Sequence, residues 1–262
     1  MSDLHFGRER QELHTPLIEA VNALAPDLTV ISGDLTQRAR PEQFEAAAAF
    51  IAQLRAPVLS VPGNHDIPLY NLAMRAVRPF RRYLKSLGPL ESTWSAPGLT
   101  VAAINSADPM RWQRGRIRRG SLRRACAAFR NSAPGDLRVL VLHHPLQQEE
   151  ESGKASTIGA DAALRRLGDC GLDLVLSGHL HRWSVAPWTR LDGGGGGAGS
   201  AVQVQAGTGL SDRLRGEEND FNLITRDGDR LSVTRYIAGP DDSFTPLPIL
   251  HLRRGDDGWM RE

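Results

Sequence analysis

The stretch "LVLSGHLHRW", residues 174–183, places two histidines directly after a run of apolar residues that is typical of a buried strand. His179 and His181 are one residue apart, and side chains at positions i and i+2 of an extended segment share a face. The two histidines are either ordinary polar residues at a strand–loop boundary or a pair of metal ligands. A chelating pair needs carboxylate or imidazole partners elsewhere in the chain.

Four other segments carry Asp, Asn or His at similar places, directly at the start of the chain or after apolar runs. Consecutive strands of a parallel sheet deliver their carboxyl ends to one edge, where α/β proteins place their sites. We therefore expect these polar residues to converge in space. They are Asp3 and His5 in "SDLH", Asp34 in "SGDL", Asn64, His65 and Asp66 in "PGNHD", and His143 and His144 in "LHHP".

The order of predicted elements changes near residue 183. Before it, short β-branched runs such as "DLTVISGD" alternate with amphipathic helical segments such as "PEQFEAAAAFIAQL", which predicts parallel strand pairing. After it, "WSVAPWTRL", "AVQVQAGT", "DFNLIT" and "LSVTRYI" read as strands without helices between them, and "RDGDR" carries a hairpin signal. The segment "DGGGGGAGS" is predicted to be a flexible connector, because no phosphate-binding Lys-Ser/Thr follows it.

The composition is that of an ordinary soluble globular protein with ample core for its 262 residues. A net charge of +2 argues against nucleic-acid binding. No apolar run is long enough to span a membrane, and the N-terminus has no apolar signal region, so we expect no membrane association. Cys126 and Cys170 form no CxxC motif and suggest no disulfide framework, which favours a reducing, cytoplasmic location.

The candidate ligands form a mixed oxygen and nitrogen set without thiolates, which suits Mn, Fe, Zn or Ni. Two Asp, one Asn and four or more His are too many ligands for one ion. They suit two ions that share a bridging carboxylate, the arrangement that clamps both oxygens of an in-line phosphoryl displacement.

The motif order D-x-H, GD, GNHD, HHP and GHxH resembles the calcineurin-like metallophosphoesterase superfamily. The motif sequences "SDLHFG … SGDLTQR … VPGNHD … HHP … SGHLH" are most similar to those of bacterial class III cyclic-nucleotide-phosphodiesterase-like members. The resemblance implies an α/β fold of two mainly mixed β-sheets packed as a sandwich, with helices on the outer faces in four αββα layers. It implies a single domain over residues 1–262, with a βα part (1–182) carrying the motifs and a mainly β second-sheet part (183–262).

The resemblance also implies a ligand for each position of two metal sites. The first ion would be held by Asp3, His5, Asp34 and His181, and the second by Asp34, Asn64, His143 and His179. The family's usual His-x-Pro spacing favours His143 over its neighbour, and a contact of His144 with substrate or metal stays open.

The chemistry implied for this site is attack on phosphorus by a hydroxide that bridges the metals. His65 would assist the leaving group, and Asp66 would orient the His65 ring. Two readings remain open for Arg213 and Arg215: an ion-pair network that closes the second sheet, or contact with the substrate phosphate. The many arginines of residues 75–130 form either a solvated surface or a basic rim that attracts an anionic substrate.

One feature departs from the family pattern, because relatives have an apolar strand immediately before D-x-H. Here Met1 stands two residues before Asp3, so we expect the first strand to be missing or truncated, whether by a late start, by truncation or because a partner supplies it. The metal held by Asp3 and His5 should then bind more weakly than its neighbour, and an upstream extension should raise stability and activity.

Taken together, the residues and the resemblance predict a dinuclear metal-dependent phosphoester hydrolase, with a phosphodiesterase of cyclic nucleotides or other small diesters foremost. Alternatives are a UDP-diacylglucosamine-type pyrophosphohydrolase, which would need an apolar lid that the sequence does not reveal, and a nuclease. A non-enzymatic scaffold, like one retromer subunit of the superfamily, would lose ligands or the GNHD histidine, and this chain keeps them. The sequence is compatible with a monomer or a homodimer.

Overall fold

The computed structural model describes residues 1–148, 153–187, 201–255 and 258–262. A 3-10 turn (Gln11–Leu13) precedes six helices: α1 (His14–Leu24), α2 (Pro41–Ile51), α3 (Leu72–Val77), α4 (Arg81–Ser86), α5 (Arg119–Arg130) and α6 (Ala160–Gly168). The strands are β1 (Thr29–Ile31), β2 (Val58–Ser60), β3 (Ser92–Ala96), β4 (Leu99–Ala103), β5 (Leu137–Val141), β6 (Leu174–Ser177), β7 (Ser184–Pro187), β8 (Val202–Gln205), β9 (Asp220–Asp227), β10 (Arg230–Ala238), β11 (Phe244–Pro246), β12 (Leu250–Gly255) and β13 (Gly258–Arg261).

A six-stranded sheet has the strand order β3-β4-β5-β6-β8-β7. Its inner strands β4, β5, β6 and β8 pair in parallel, and β1 and β2 form a separate parallel pair. The predicted parallel pairing is therefore confirmed. The antiparallel strand β3 at one edge was not expected from the sequence, because its alternating pattern "STWSA" is short and weakly apolar.

The second sheet contains β9 to β13, and the "RDGDR" hairpin joins β9 to β10 as predicted. It begins later than expected, because β7 and β8 belong to the six-stranded sheet although they follow residue 183. The reason is that β8 is buried along its whole length and pairs with the buried strand β6. The predicted connector 192–200 lies outside the described residues, and the single-domain organisation stays a prediction.

Two apolar layers show that the sheets form a sandwich with outer helices. One face of β4 to β6, represented by Ala102 and Leu140, packs against α5 and α6. The opposite face, represented by Val101 and Val139, packs with Leu231 and its neighbours from the second sheet. Successive residues of a strand point to opposite faces, so the same strands contribute to both layers. The predicted fold class is confirmed.

Residues 1–6 lie beside β1 and the loop that follows it. The Met1 ammonium group donates to the Val30 carbonyl at 3.0 Å, and the amides of Asp3 and His5 donate to Gly33 and Asp34, each at 3.0 Å. Burial lowers the pKa of the Met1 ammonium to about 6. Met1 lines an apolar cavity of about 140 Å³ together with residues of β1 and β9. The expectation of weaker metal binding by Asp3 and His5 stays a prediction.

The expectation of no disulfide framework is wrong. Cys126 of α5 and Cys170 after α6 form a disulfide with an S–S distance of 2.09 Å. The two helices pack side by side on the six-stranded sheet, so cysteines 44 residues apart in sequence become neighbours. The cytoplasmic location stays a prediction that has lost this support. Within the described ranges, none of the helices is long and apolar enough to cross a membrane.

We expect the Cys126→Ser substitution to lower the free energy of unfolding by about 2–4 kcal/mol, because the disulfide restricts the unfolded chain. Urea denaturation followed by circular dichroism measures the change. Reduced wild-type protein provides the control and should match the variant. Two free thiols in unreduced, denatured wild-type protein would contradict the pairing itself.

Candidate metal centre

The candidate ligands follow the carboxyl ends of β1, β2, β5 and β6, together with the start of the chain. Four groups of three residues have potential ligand atoms within 4.8 Å of one another. The groups are Asp3, His5 and His181; Asp3, Asp34 and His143; His5, Asp34 and His65; and His143, His144 and His179. The overlap of these groups makes one continuous cluster, and all of its residues are buried except His65, which is partly buried.

The first part of the cluster joins the two ends of the motif series. His181 Nε2 lies 3.1 Å from Asp3 Oδ1, and His5 Nε2 lies 3.5 Å from the same oxygen. The two Nε2 atoms are 3.3 Å apart. Three ligand atoms thus face one small volume, as the first proposed metal site requires.

Asp34 lies between this part of the cluster and the next. Its Oδ2 atom is 3.2 Å from His143 Nε2 and 3.7 Å from His5 Nε2. Its other oxygen, Oδ1, accepts a hydrogen bond from the His65 amide at 2.8 Å. One carboxylate oxygen therefore faces donors on both sides, which is the position of a bridging ligand.

Several buried ligand atoms have no hydrogen-bond partner among the described residues. They are Asp3 Oδ1, Asn64 Oδ1, His143 Nε2 and His144 Nε2. Buried polar atoms without partners are unfavourable, and a cation bound among them would satisfy them. The cluster contains carboxylate, amide and imidazole donors and no thiolate, so it fits two divalent transition-metal ions. His143 and His144 both offer Nε2, and the geometry alone does not choose between them.

Other contacts orient the ligand rings from outside. His143 Nδ1 lies 2.8 Å from the Ser32 carbonyl, and His181 Nδ1 lies 2.9 Å from the Arg213 carbonyl. Each contact assigns the proton to Nδ1 and leaves Nε2 facing the cluster. Asp3 Oδ2 accepts from the His179 amide at 3.0 Å, so Oδ1 remains available to a metal.

The backbone is strained at most of the candidate ligands. The φ angles are 53° at Asp3, 51° at His5, 52° at Asp34, 76° at His179 and 56° at His181. Side chains other than glycine rarely adopt this left-handed region, and such strain persists where the surroundings enforce it, often at functional sites. The folded chain therefore holds these five residues in place for a reason other than local preference.

Two glycines of the motifs are required by close approach of the ligands. A Cβ atom on Gly33 would lie 2.6 Å from His143 Nδ1, and one on Gly178 would collide with the Asp3 carboxylate. The glycine before each ligand in "SGD" and "SGH" thus makes room for a ligand from another segment.

The charges of the cluster favour the binding of cations. Burial raises the pKa of Asp34, but nearby His143, His65 and His5 bring it well below its usual value. Burial also raises the pKa of Asp3, but nearby His181 and His5 bring it well below its usual value. Burial lowers the pKa of His143, yet Asp34 outweighs burial and raises it to about 9. The carboxylates are therefore ionised, and a proton on His143 occupies the place of a cation.

We expect apparent metal affinity to rise with pH between 7 and 9. Because the pKa of His143 is raised above its unfolded value, to about 9, the metal-free fold retains this proton below pH 9, and metal binding must displace it. Calorimetric titration with Mn²⁺ in buffers of different ionisation enthalpy should show release of about one proton at pH 7.5.

The His143→Gln variant should lose this proton release. His251→Gln is the matched control, because His251 lies on β12 and contacts Ser232 at 2.9 Å, away from the cluster. Proton release that is unchanged in His143→Gln would assign the proton to another group.

Asp66 was predicted to orient the His65 ring, but its carboxylate contacts other groups. Its carboxylate accepts hydrogen bonds from the amides of Gly63 and Thr36, at 2.9 and 2.8 Å, and so joins the GNHD loop to the loop after β1. Burial, together with Asp34, raises the pKa of Asp66 to about 7. The His65 ring instead places Nδ1 at 2.8 Å from the Gln37 carbonyl.

His65 is also held from its other side. Arg213 Nη1 lies 3.0 Å from His65 Nε2, and because Nδ1 donates to Gln37, Nε2 accepts from the guanidinium. Burial lowers the pKa of His65 to about 4. The ring stands next to the ligands, with its centroid 4.7 Å from that of His5.

The sequence left two roles open for Arg213 and Arg215: an ion-pair network or contact with phosphate. Residues near Arg213 in the sequence differ in the role that their contacts indicate. Glu217 pairs with Arg235, and Asn219 donates to the carbonyls of Thr208 and Ser211, so both have structural roles. The Arg213 side chain instead faces His65. Phosphate contact by Arg213 or Arg215 stays a prediction.

Two cations lie near the cluster that the sequence did not predict there. Arg38 Nη1 lies 3.3 Å from His65 Nδ1, and Lys154 Nζ donates to the His179 carbonyl at 2.6 Å. Neither stands in a recognisable motif, but Arg38 follows "SGDLTQ" closely enough that its proximity to Asp34 offered a signal. Lys154 reaches the site from a distant loop and offered none.

Part of the arginine-rich region has structural roles. Arg75 donates to the carbonyls of Pro109, Pro68 and Arg111. Arg118 donates to the carbonyls of Asn105 and Ala107, at 3.1 Å each. These arginines hold the loop between β4 and α5 and are not free to form a basic rim.

Comparison with known sequences decides the family. The sequence profile described as calcineurin-like phosphoesterase matches residues 1–183, which include every candidate metal ligand. This chain belongs to the calcineurin-like phosphoesterases.

Two curated phosphodiesterases resemble parts of this phosphoesterase. A segment of 77 residues is 34% identical to the glycerophosphodiester phosphodiesterase GpdQ of Enterobacter lignolyticus, covering 25% of this chain and 28% of that protein. A segment of 122 residues is 30% identical to a probable cyclic nucleotide phosphodiesterase of Synechococcus, covering 46% of this chain and 43% of that protein. The matches thus span less than half of either relative.

Solved structures show the same phosphoesterase fold. The purple acid phosphatase PPD1 of yellow lupin (Lupinus luteus) has a TM-score of 0.70 at 11% identity over 92% of this chain and 48% of its own. A structure of PhoD has a TM-score of 0.71 at 9% identity over 99% of this chain and 70% of its own. A dimetal phosphatase from Danio rerio has a TM-score of 0.62 at 12% identity over 92% and 89% of the two chains.

Proposed function

We propose that this phosphoesterase is a dinuclear metal-dependent phosphodiesterase that acts on a small diester, such as a cyclic nucleotide. The position of Asp34 carries the proposal, because its Oδ2 faces His143 on one side and His5 on the other. Similarity to two phosphodiesterases supports the choice of diesters. The proposed site of action is the cytoplasm.

The residues would hold two ions of Mn, Fe, Zn or Ni. When bound, such ions supply Lewis acidity and an activated water for attack on phosphorus. Asp3, His5, Asp34 and His181 would hold the first ion, and Asp34, Asn64, His143 and His179 the second. His144, with a buried Nε2 that lacks a hydrogen-bond partner among the described residues, would contact the second ion or the substrate.

Arg213 and His65 would act on the side of the leaving group. Arg213 now donates to His65 Nε2 at 3.0 Å, and a phosphate oxygen arriving there would accept the same N–H group. To assist the departing oxygen, His65 would first take up a proton from solvent at Nε2 and then donate it, because Gln37 holds the proton on Nδ1 and fixes the ring. Arg215 would add positive potential, which lowers the energy of an anionic substrate near the ligands.

A scaffold without catalysis is the competing function. It would not need buried ligand atoms that lack a hydrogen-bond partner within the described part of the chain, nor a strained backbone at five ligands, and both features are present here. These costs are understandable if the site binds metal.

Metal-reconstituted protein should be screened against phosphomonoesters, phosphodiesters, cyclic nucleotides and nucleotide-linked pyrophosphates. The proposal expects kcat/KM for a diester to exceed that for the matched monoester. Faster hydrolysis of a pyrophosphate than of any diester would favour the pyrophosphohydrolase alternative. No hydrolysis by protein that holds two ions would favour a scaffold.

A further inference from the structure

Large apolar side chains are exposed on two segments that follow GNHD and β4. Six of the nine exposed large apolar residues in the described chain lie there, whereas single exposed residues are normal on any surface. They are Met110 (82% exposed), Tyr70 (77%), Val77 (75%), Leu72 (66%), Trp112 (61%) and Leu84 (51%).

The two segments form one surface. The guanidinium of Arg75 in α3 lies 5.4 Å from the ring centroid of Trp112, and its Nε donates to the Pro109 carbonyl at 2.7 Å. Beneath the surface, Ile67 and Phe80 pack with Ala107 from the second segment. The exposed apolar residues therefore stand on a common, well-packed base.

This surface also carries more cations than acids, and the flanking Asp108 and Glu91 pair with Arg116 and Arg124. Residues 67–90 and 109–120 contain Arg and Lys but neither Asp nor Glu. Arg78, Arg81, Lys85 and Arg111 are exposed, and the ion pairs among the described residues involve other cations. We name the six apolar residues and these four cations the basic apolar face.

A shallow apolar groove of about 350 Å³ lies within the basic apolar face. Phe80, Leu84 and Leu90 line it, and Arg78 and Arg81 stand at its edge. Apolar lining between two cations matches a ligand that has an acyl part and an anionic part.

The basic apolar face borders the metal centre. Ser106, in the loop that carries Met110 and Trp112, has its Oγ atom 2.9 Å from His144 Nδ1. Gly115 of the same loop lies so close to His144 that a Cβ atom would not fit. The other segment begins directly after Asp66 of GNHD.

We propose that the basic apolar face binds the surface of an anionic lipid bilayer. Aliphatic and Trp side chains enter the headgroup region, and exposed Arg and Lys attract anionic lipids. Single-stranded nucleic acid would be bound by stacking aromatic residues, whereas four of the six apolar residues here are aliphatic or Met. The expectation of no membrane association considered only spans and leaders, and this face forms only when the chain folds.

Attachment by this face would place the metal centre at the level of lipid head groups. It does not depend on the proposed phosphodiesterase activity, because binding is measured on protein without substrate. The two proposals can therefore fail separately.

Co-sedimentation of the full chain with vesicles tests the charge requirement. Vesicles of phosphatidylcholine with phosphatidylglycerol should bind at least about tenfold more tightly than phosphatidylcholine alone, and added salt should weaken the binding. The triple variant Arg78→Glu/Arg81→Glu/Lys85→Glu should bind at least about thirtyfold more weakly. Equal binding of neutral and anionic vesicles, or no binding to either, would overturn the proposal.

A variant with the same change in net charge controls for general electrostatics. Arg55→Glu/Arg165→Glu/Arg166→Glu changes exposed arginines outside the basic apolar face and should bind within about threefold of wild type. Equal losses in both triple variants would show that only net charge matters and would overturn the assignment of the face.

The apolar requirement is tested separately. Leu72→Ser/Met110→Ser/Trp112→Ser should weaken vesicle binding at least about tenfold, with an unchanged melting temperature because the residues are exposed. Ile249→Ser/Met260→Ser removes exposed apolar residues just before β12 and on β13 and should have no effect. Self-association that disappears in the triple Ser variant, or RNA binding in place of vesicle binding, would overturn the proposal.

Discussion

Asp34→Asn should remove most bound metal and lower kcat/KM for a diester by at least about a thousandfold, since the stabilisation that two ions supply is worth several kcal/mol. Asp34 Oδ2 faces His143 at 3.2 Å and His5 at 3.7 Å, so one substitution weakens both metal sites. Elemental analysis after metal loading and dialysis should fall from two ions per chain to fewer than one.

Asp136→Asn is the matched control for this variant. Asp136 is also buried, but its carboxylate contacts Thr100 and the Ala133 amide, in another part of the fold. The control should keep both ions. Two ions retained in a folded Asp34→Asn protein would contradict the bridging position of Asp34.

His65→Ala should lower turnover by about a hundredfold or more and leave metal content nearly unchanged. A group that assists proton transfer or charge development contributes about this much. The contacts of the ring with Gln37 and Arg213 place it at the edge of the cluster. Turnover of a diester and elemental analysis on the same preparation measure both effects.

The result also distinguishes two positions for His65. It belongs to one of the close groups, with His5 and Asp34, so it has the geometry of a ligand as well. Loss of one ion from His65→Ala would make it a metal ligand and would remove its proposed role. His251→Ala, on β12, should change neither turnover nor metal content.

The sequence by itself identified the candidate residues for the metal centre, and the structure brings them close together. Each motif follows a short apolar run or opens the chain, and parallel strands end at one edge, so convergence of His143 and His179 after β5 and β6 could be expected from the sequence, whereas β1, which precedes Asp34, lies in a separate parallel pair. The sequence also limited the candidate metals, because a donor set without thiolates suits only some of them. Sequence pattern carries such information because ligand type and strand periodicity are local properties.

Only the tertiary structure decided which distant segments touch. The disulfide requires α5 and α6 to be neighbours, and the position of β8 beside β6 depends on burial over its whole length. The partner of the His65 ring proved to be Gln37, although Asp66 is adjacent in sequence, because the buried Asp66 carboxylate is held by backbone amides. Lys154 and the basic apolar face likewise depend on packing between segments, and no local pattern specifies which surfaces remain exposed after the core has formed.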